Sequence, residues 1–434
     1  MVESLATLLF LVIVLMMIHQ FKFFRSSGLS LKELYFFFGL KLVAGIVLIV
    51  IYTKIYPDRL TADIFKFYDD SELIYKQLFN QNPAVYIKMI FGFENALEVN
   101  SIIEQTSYWN KPFETLWFND NRTIIRLNML IRIFSGGYYG IHTIMFNFCS
   151  FIGIMFLFKT FKRLFKEKMI LLKVACFLIP SVLIWTSGIT KESILIFAIG
   201  GFMFHLVAIA FRNGNIFWNI FMILIFGAIL AIIKSYFLAL LLPGIVVLSC
   251  SEFIFKRLLK INYSILYFML TVVLFGGLFL FNVAFLKFDW IQAMSKMQTD
   301  FINVAHATNS MSYFPVENID SFAAVIRNIP FALYNSLMRP ILFSSTNPLK
   351  ILAGIENLIV LIVIILAIIN RKSIPSNYKG IWLFIGLFCF IILLLLGLIV
   401  PIEGALMRFK APILPFLLIF LLATIDLEKR KRKA

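Results

Sequence analysis

The chain is a succession of apolar runs near twenty residues long, nearly free of charge and joined mostly by short polar connections. About 20 residues of helix at 1.5 Å per residue cross the hydrocarbon core of a bilayer, so each run is a candidate transmembrane helix. Hydrophobic residues make up 61% of the chain, more than a soluble domain can bury. We predict an all-α polytopic membrane protein with eleven spans: 4–20, 35–54, 137–158, 169–187, 192–211, 216–233, 235–254, 263–286, 350–370, 381–400 and 412–427.

The basic residues indicate how these spans are oriented. The first run is followed, not preceded, by bases, at Lys22 and Arg25. Since cytoplasmic loops collect Lys and Arg, the N-terminus is predicted outside and the tail EKRKRKA inside. Alternation from there, with Lys41 and Lys173 counted near cytoplasmic helix ends, places the whole formal charge of +17 on the cytoplasmic face. That charge predicts orientation and contact with anionic membrane lipids, and no nucleic-acid partner.

Two outer connections, residues 55–136 and 287–349, are much longer than the rest. Long connections in a helical bundle are uncommon unless they carry function. Both are rich in Phe, Tyr and Trp, which favours amphipathic helices lying at the membrane surface. No repeat or separate soluble domain is recognisable, so residues 1–434 are predicted to form a single integral membrane domain.

An acidic cluster opens the first of these long segments, in "ADIFKFYDDSELIY" (62–75). Asp63 and Asp70 are seven residues apart and would share one face of a helix. The cluster is either a solvated face near lipid headgroups, or a site where one acid is a base and others orient a substrate or metal. The candidate catalytic residues are Asp63 first, because it lies nearest the second span, then Asp69 and Asp70. The candidate ligands for Mg²⁺ or Mn²⁺ are Asp69, Asp70 and Glu72.

Basic residues also lie at the predicted outer ends of several spans, where they are normally depleted. A single one of them is best interpreted as a snorkelling side chain. Several together suit a phosphate or pyrophosphate, which charged donors bind through short hydrogen bonds. The residues predicted to contact the phosphate of a lipid-linked substrate are Lys191, Lys234, Tyr236, Arg339, Arg408 and Lys410.

Four stretches are similar to known sequences: "ADIFKFYDD", "PSVLIWTSGITKES", "NPLKILAGIENLIVLIVII" and "MRFKAPILPFLLIFLLA". Together they resemble the GT-C superfamily of membrane glycosyltransferases, which use polyprenyl-phosphate sugars. The resemblance implies a large outer loop with a catalytic aspartate and an active site facing outward. In this chain the acidic loop follows the second span rather than the first. The acids Asp69 and Asp70 are adjacent rather than Asp-x-Asp, so both Asp63 and the pair stay open as the catalytic acid.

The expected function is therefore an inverting glycosyltransferase of cell-envelope glycan assembly in a bacterial inner membrane, with its active site facing the periplasm. An aspartate would deprotonate the acceptor, which is a glycan, lipid or protein, while basic groups stabilise the departing lipid phosphate. A polysaccharide (O-antigen) polymerase or ligase is the nearest alternative. A transporter or flippase of lipid-linked glycan would place charges within spans and break its helices at Gly or Pro. A purely structural role is the remaining alternative.

Overall fold

The computed structural model describes residues 2–54, 59, 62–110, 120–257, 262–282, 285, 287–307, 310 and 312–426. This part of the chain is helical and contains no β-strand, only two isolated bridges. The helices, numbered in chain order, are α1 (Val2–Gln20), α2 (Lys22–Arg25), α3 (Leu31–Lys54), α4 (Asp63–Ile74), α5 (Pro83–Phe91), α6 (Ala96–Ile103), α7 (Asp120–Ser135), α8 (Tyr139–Phe161), α9 (Met169–Phe177), α10 (Pro180–Trp185), α11 (Lys191–Ala210), α12 (Ile216–Arg257), α13 (Tyr263–Phe281), α14 (Trp290–Ala307), α15 (Phe322–Met338), α16 (Pro348–Ile369), α17 (Lys379–Ile399), α18 (Glu403–Lys410) and α19 (Leu414–Thr424).

Several helices begin at residues that the local sequence marks as caps. The side chains of Asn82, Thr190, Ser321 and Asn347 each accept a hydrogen bond from a backbone N–H in the first turn of the helix that follows. Such caps satisfy donors that have no partner within the helix. Helix α5 also ends in a left-handed glycine, Gly92. These signals fix where the elements near the candidate site start.

Eight helical segments in the described residues are long and apolar enough to cross a membrane. They are Val2–Gln20, Leu31–Lys54, Tyr139–Phe161, Lys191–Ala210, Ile216–Cys250, Pro348–Ile369, Lys379–Ile399 and Glu403–Thr424. The prediction of an all-α polytopic membrane protein is confirmed at this level. The number of eleven spans, and the assignment of loops to the outside or inside, remain predictions.

The predicted spans 169–187 and 263–286 differ most from the observed helices. Residues 169–187 form two short helices, α9 and α10, with a break before Pro180 and a second irregular segment from Thr186 to Thr190. The segment labelled α12 consists of two helical stretches that meet at Lys234, whose dihedral angles are not helical (φ −150°, ψ 85°). This break lies where the sequence predicted the turn between the spans 216–233 and 235–254. Helix α13 contains a shorter apolar stretch, Tyr263–Leu278.

The chain divides into two compact units, unit 1 (Met1–Thr160 and Leu183–Ser235) and unit 2 (Phe161–Val182 and Tyr236–Ala434). In unit 1 the short helices α4 to α7, which follow α3 and precede α8 in the chain, pack together, with α7 against α4 and α5. The Tyr86 hydroxyl donates to the carbonyl of Met129 across this packing, at 2.8 Å. Spans α8 and α11 approach closely where Gly153 and Gly200 meet. Small residues allow this approach of two helix backbones in a membrane.

In unit 2 the main packing joins α15 to α17 and both α16 and α17 to α19. Gly397 of α17 lies directly against the backbone of Ala332 in α15. The connection after α14 is tied to the segment before α18, because Phe314 N–H donates to the carbonyl of Pro401 at 2.9 Å. This arrangement places Arg339 (after α15), Lys350 (α16) and Glu403 (α18) near one another.

Candidate functional site

The first feature of unit 1 is an ion pair between the starts of two helices. Lys191 is the first residue of α11, after its cap Thr190, and Asp120 is the first residue of α7. The Nζ atom of Lys191 lies 2.7 Å from Oδ2 of Asp120, and the two side chains are only 12% and 18% exposed. A pair this sheltered from water interacts more strongly than one on an open surface.

A second ion pair adjoins it through the next residue of α11. Glu192 is fully buried, and its Oε1 atom lies 3.5 Å from Nζ of Lys234. The departure of α12 from helical geometry occurs at Lys234 itself. A buried carboxylate is tolerated only when a counter-charge or hydrogen bonds compensate its loss of hydration.

Lys66 of α4 brings a third ammonium group to the same region. Its Nζ lies 5.2 Å from the ring centre of Phe67 and 4.6 Å from that of Tyr108, and Lys191 Nζ lies 5.5 Å from the Phe67 ring. Burial lowers the pKa of Lys66, and the negative charges of Asp120 and Glu192 partly offset that effect. Cations over aromatic faces are attracted by the negative charge of the π system.

We name this group the lysine cluster: Lys66, Asp120, Lys191, Glu192 and Lys234. Two of its members, Lys191 and Lys234, were predicted as phosphate contacts from the sequence. The structure pairs Lys191 with Asp120 and Lys234 with Glu192, the residue after Lys191, and phosphate contact by either lysine remains a prediction. Ammonium groups beside an aromatic wall, with little exposure to water, form an arrangement that can bind a phosphate through charge-assisted hydrogen bonds.

The acidic cluster of α4 does not act as one group of carboxylates in the structure. Asp69 accepts two hydrogen bonds from the Arg59 guanidinium, at 2.8 and 2.7 Å. Glu72 pairs with Lys76 one turn along at 2.6 Å. Asp63 begins α4, but its side chain lies outside what the structure describes. Catalysis by Asp63, Asp69 or Asp70 therefore remains a prediction.

Asp70 holds the loop that follows α6. Its carboxylate oxygens accept hydrogen bonds from the backbone N–H groups of Ser107 and Tyr108, at 3.0 and 2.8 Å. Burial raises the pKa of Asp70, and these two hydrogen bonds to the charged form oppose that rise. Asp70 thus positions Tyr108, whose ring lies beside Lys66.

No group of three or more His, Cys, Asp or Glu residues suited to a metal ion occurs in the part of the chain that the structure describes. Asp69 and Asp70 are adjacent in sequence but engage different partners, Arg59 and the 107–108 backbone. A requirement for Mg²⁺ or Mn²⁺ held by Asp69, Asp70 or Glu72 remains a prediction.

Unit 2 has its own charged group. Oε2 of Glu403 lies 2.8 Å from Lys350 Nζ, and Oε1 lies 3.6 Å from Arg339 Nη1. One carboxylate is therefore paired with two cations. The Arg339 guanidinium also lies over the Phe314 ring, 4.3 Å from its centre. The sequence predicted a phosphate contact for Arg339, and the structure supplies Lys350 as its neighbour.

The remaining predicted phosphate contacts are also in unit 2. Lys410 is 1% exposed and donates to the carbonyls of Ser336 and Arg339 and to Oδ1 of Asn357, at 3.3, 3.0 and 2.6 Å. These bonds tie α15 to α16. Tyr236 lies beside Phe237, with ring centres 4.9 Å apart, and Arg408 is half-buried on α18. Phosphate contact by these three residues remains a prediction.

Sequence reasoning missed Asp120 and Lys66 as members of the lysine cluster. The sequence predicts no role for Lys66, and Asp120 lies within the long connection 55–136, for which helices at the membrane surface are predicted. A usable signal was available, because an acid followed by a run of helical periodicity marks a helix start. Nothing in the linear sequence indicates that this start lies against Lys191.

Neither a protein-family model, nor a curated protein, nor a solved structure matches the chain. The resemblance to GT-C glycosyltransferases therefore depends on the four short stretches quoted above. The functional interpretation depends on the geometry of the charged residues in each unit.

Proposed function

We propose that the chain is a membrane glycosyltransferase that moves a sugar from a polyprenyl-phosphate donor to an acceptor hydroxyl on a glycan, lipid or protein. The observation that carries the proposal is the Asp120–Lys191 pair within the lysine cluster, at 2.7 Å and largely sheltered from water. The pair links the first residue of candidate span α11 to the first residue of α7, and we place it where a lipid-borne phosphate would be reached from the bilayer. We place this activity in cell-envelope glycan assembly at the outer face of a bacterial inner membrane.

The lysine cluster offers the chemistry that a departing phosphate needs. Lys191 and Lys66 flank the Phe67 ring at 5.5 and 5.2 Å, so both ammonium groups face one apolar surface. Donors fixed in a site of low dielectric stabilise developing negative charge more strongly than water does. When the sugar leaves, the charge that forms on the lipid phosphate would be held by these lysines.

Asp120 is the carboxylate that the geometry places beside those lysines. A phosphate entering the site would compete with Asp120 for Lys191, because both are anions that accept hydrogen bonds from Nζ. Asp120, once released, could accept the proton of the acceptor hydroxyl as a general base. Asp63 stays the candidate base indicated by the sequence, and substitution distinguishes the two.

The test is sugar transfer by the purified protein in lipid nanodiscs, with a polyprenyl-phosphate sugar and a panel of glycan acceptors. Asp120→Asn removes the base while it preserves size, and loss of general-base catalysis costs about 10²–10⁴-fold in rate. The matched control is Glu94→Gln, which alters a similarly sheltered pair with Arg126 in the same unit, at 2.5 Å. The rate of sugar transfer by Glu94→Gln should stay within about threefold of wild type, as expected for a substitution outside the groups that contact the substrate.

Two results would reject parts of this proposal separately. A folded wild-type protein that releases no sugar from any polyprenyl-phosphate donor would reject glycosyl transfer. Full activity of Asp120→Asn alongside a working wild type would reject only the role of Asp120. If Asp63→Asn alone loses activity, the base is Asp63.

A second candidate, transport of a lipid-linked glycan, has one specific observation in its favour. The chain between α9 and α11 is interrupted twice, before Pro180 and from Thr186 to Thr190, and interrupted spans are typical of transporters. Lys41, in the middle of α3, is buried beside the second interruption. A fluorescent polyprenyl-phosphate sugar that changes leaflet in proteoliposomes without acceptor would favour transport over transfer.

A further inference from the structure

We propose that Lys41 is a positioning residue for the lysine cluster: it fixes the irregular segment Thr186–Thr190, which carries Lys191 and Glu192 into their ion pairs. The inference rests on the proposed function only for its consequence, that loss of Lys41 would impair phosphate binding. The structural part, that Lys41 sets the place of Lys191, stands without it.

Lys41 is an unusual residue for its place. It lies near the middle of span α3 and is only 1% exposed. In the described part of the chain it pairs with no carboxylate, and its Nζ donates instead to the carbonyl and the hydroxyl of Thr186, at 2.5 and 2.7 Å. An ammonium group within the membrane is costly, and a residue kept there at such a cost is by default a functional candidate.

The segment that Lys41 holds is one that needs support. Helix α10 ends at Trp185 and α11 begins at Lys191, so Thr186–Thr190 is irregular backbone between two helices within a predominantly apolar region. Irregular backbone at membrane depth is tolerated only where protein or enclosed water satisfies its polar groups. Gly188 takes a left-handed conformation (φ +70°), which suits a residue without a side chain.

Side chains from the neighbouring spans provide that support. Oδ1 of Asn147 accepts from the N–H of Gly188 at 2.7 Å, and the Ser150 hydroxyl donates to the Thr186 hydroxyl at 3.1 Å. Ser193 donates to the carbonyl of Gly188 at 3.0 Å. Among these contacts, only that of Lys41 comes from a charged group, and Lys41 donates to Thr186, the first residue of the segment.

Gly45 shows how closely α3 approaches this region. It lies one turn after Lys41, and a Cβ added there would be 2.7 Å from Nδ2 of Asn147. Leu48 lies nearly two turns after Lys41, and a Cβ added at Gly188 would be 3.6 Å from its Cδ2. The face of α3 formed by these three residues is therefore seated on α8 and on the irregular segment. A change at Lys41 is transmitted to the start of α11 because the segment has no regular helix to hold it.

The experiment measures the place of Lys191 directly. Asp120→Cys and Lys191→Cys are combined in a protein whose four native cysteines are replaced, and a short bis-methanethiosulfonate reagent cross-links them. Adding Lys41→Met should lower the cross-linking rate about tenfold, the factor expected for a lost hydrogen bond to a charged group. Lys159→Met is the matched control, since Lys159 bonds to the carbonyl of Phe23 elsewhere in unit 1. It should leave the rate unchanged.

A purely stabilising role for Lys41 predicts a different outcome. It would lower the melting temperature but leave the cross-linking rate unchanged at temperatures where the protein is folded, and that result overturns the proposal. A second pair, Glu94→Cys with Arg126→Cys, should cross-link equally in both backgrounds. If its rate also falls, the effect of Lys41→Met is general loosening and the proposal fails.

Lys41→Met could also prevent folding, and Thr186→Val then decides the matter. It keeps the shape of the side chain but removes the hydroxyl that accepts from Lys41. The cross-linking rate should fall about threefold, less than for Lys41→Met because the bond from Lys41 to the Thr186 carbonyl remains, and an unchanged rate overturns the proposal. None of these readouts needs a sugar donor, so a wild type without transferase activity would reject the proposed function and leave this inference to be decided on its own.

Discussion

The Nζ atom of Lys191 lies 2.7 Å from Oδ2 of Asp120, so the first residue of α11 is tied to the first residue of α7. The pair joins candidate span α11 to the short helix α7 of unit 1. Coupling between the two side chains is therefore the quantity to measure.

We expect a double-mutant cycle on this pair to show coupling of about 1–2 kcal/mol, in the range for contacting charged groups that are sheltered from water. The variants are Asp120→Asn, Lys191→Met and the two combined, measured by unfolding in mixed micelles. The exposed pair Glu317–Arg327, at 3.4 Å, is the control and should couple by less than about 0.5 kcal/mol. Equal coupling in both pairs would mean that Asp120 and Lys191 are not held together.

A second prediction concerns the anchoring of Tyr108 by Asp70. Asp70→Ala removes the acceptors of the Ser107 and Tyr108 N–H groups and should speed amide hydrogen exchange there by about tenfold or more, as expected when a hydrogen bond to a charged group is lost. Asp70→Asn keeps one acceptor and should have a smaller effect. Equal exchange in wild type and Asp70→Ala would show that Asp70 does not hold the loop.

The raised pKa of Asp70 predicts a dependence on pH. Burial favours the protonated carboxyl group of Asp70 in the folded state. The contribution of this group to the free energy of unfolding is therefore present below its ordinary pKa of 3.8, and it is lost as the pH rises through the raised pKa. The melting temperature of wild type relative to Asp70→Asn should therefore increase when the pH is lowered from 7 to about 4. If the melting temperature of wild type instead falls relative to that of Asp70→Asn on acidification, the hydrogen bonds to the charged carboxylate outweigh the effect of burial on the pKa.

The sequence predicted the membrane class well because apolar length is a local property that each span carries by itself. It also predicted phosphate contact for Lys191 and Lys234, which the structure places in ion pairs with Asp120 and Glu192 without testing that role. It did not predict the Lys66 and Asp120 contacts, since these depend on how α4 and α7 pack after long connections. The sequence predicted that Lys41 lies near a cytoplasmic helix end, but in the structure it is buried against Thr186. This contact was not predicted because the sequence around Thr186 belongs to an apolar run, which gives no sign of an irregular segment.

A fourth prediction tests the shared carboxylate of unit 2. Glu403→Gln leaves Arg339 and Lys350 without their counter-charge, and we expect a loss of about 1–3 kcal/mol in the free energy of unfolding, as for a partly buried charge left unpaired. Adding Lys350→Met should recover part of that loss, because it removes one of the two cations. No recovery in the double variant would show that repulsion between the cations is not the cause.

The last prediction ranks the carboxylates by their effect on sugar transfer. Asp69 is engaged by two hydrogen bonds from Arg59, and both side chains are substantially exposed, so Asp69→Asn should change the rate of sugar transfer by no more than a few-fold. Asp120→Asn should reduce the rate by about 10²–10⁴-fold, since it removes the carboxylate beside Lys191. Asp63→Asn is measured in parallel, because the acidic motif of α4 is part of the resemblance to GT-C enzymes. Each variant is first checked for insertion and for a wild-type melting profile, so that a low rate reports chemistry rather than misfolding. The proposed role of Asp120 predicts a larger loss for Asp120→Asn than for Asp63→Asn, and the reverse order would return the general base to the acidic cluster of α4.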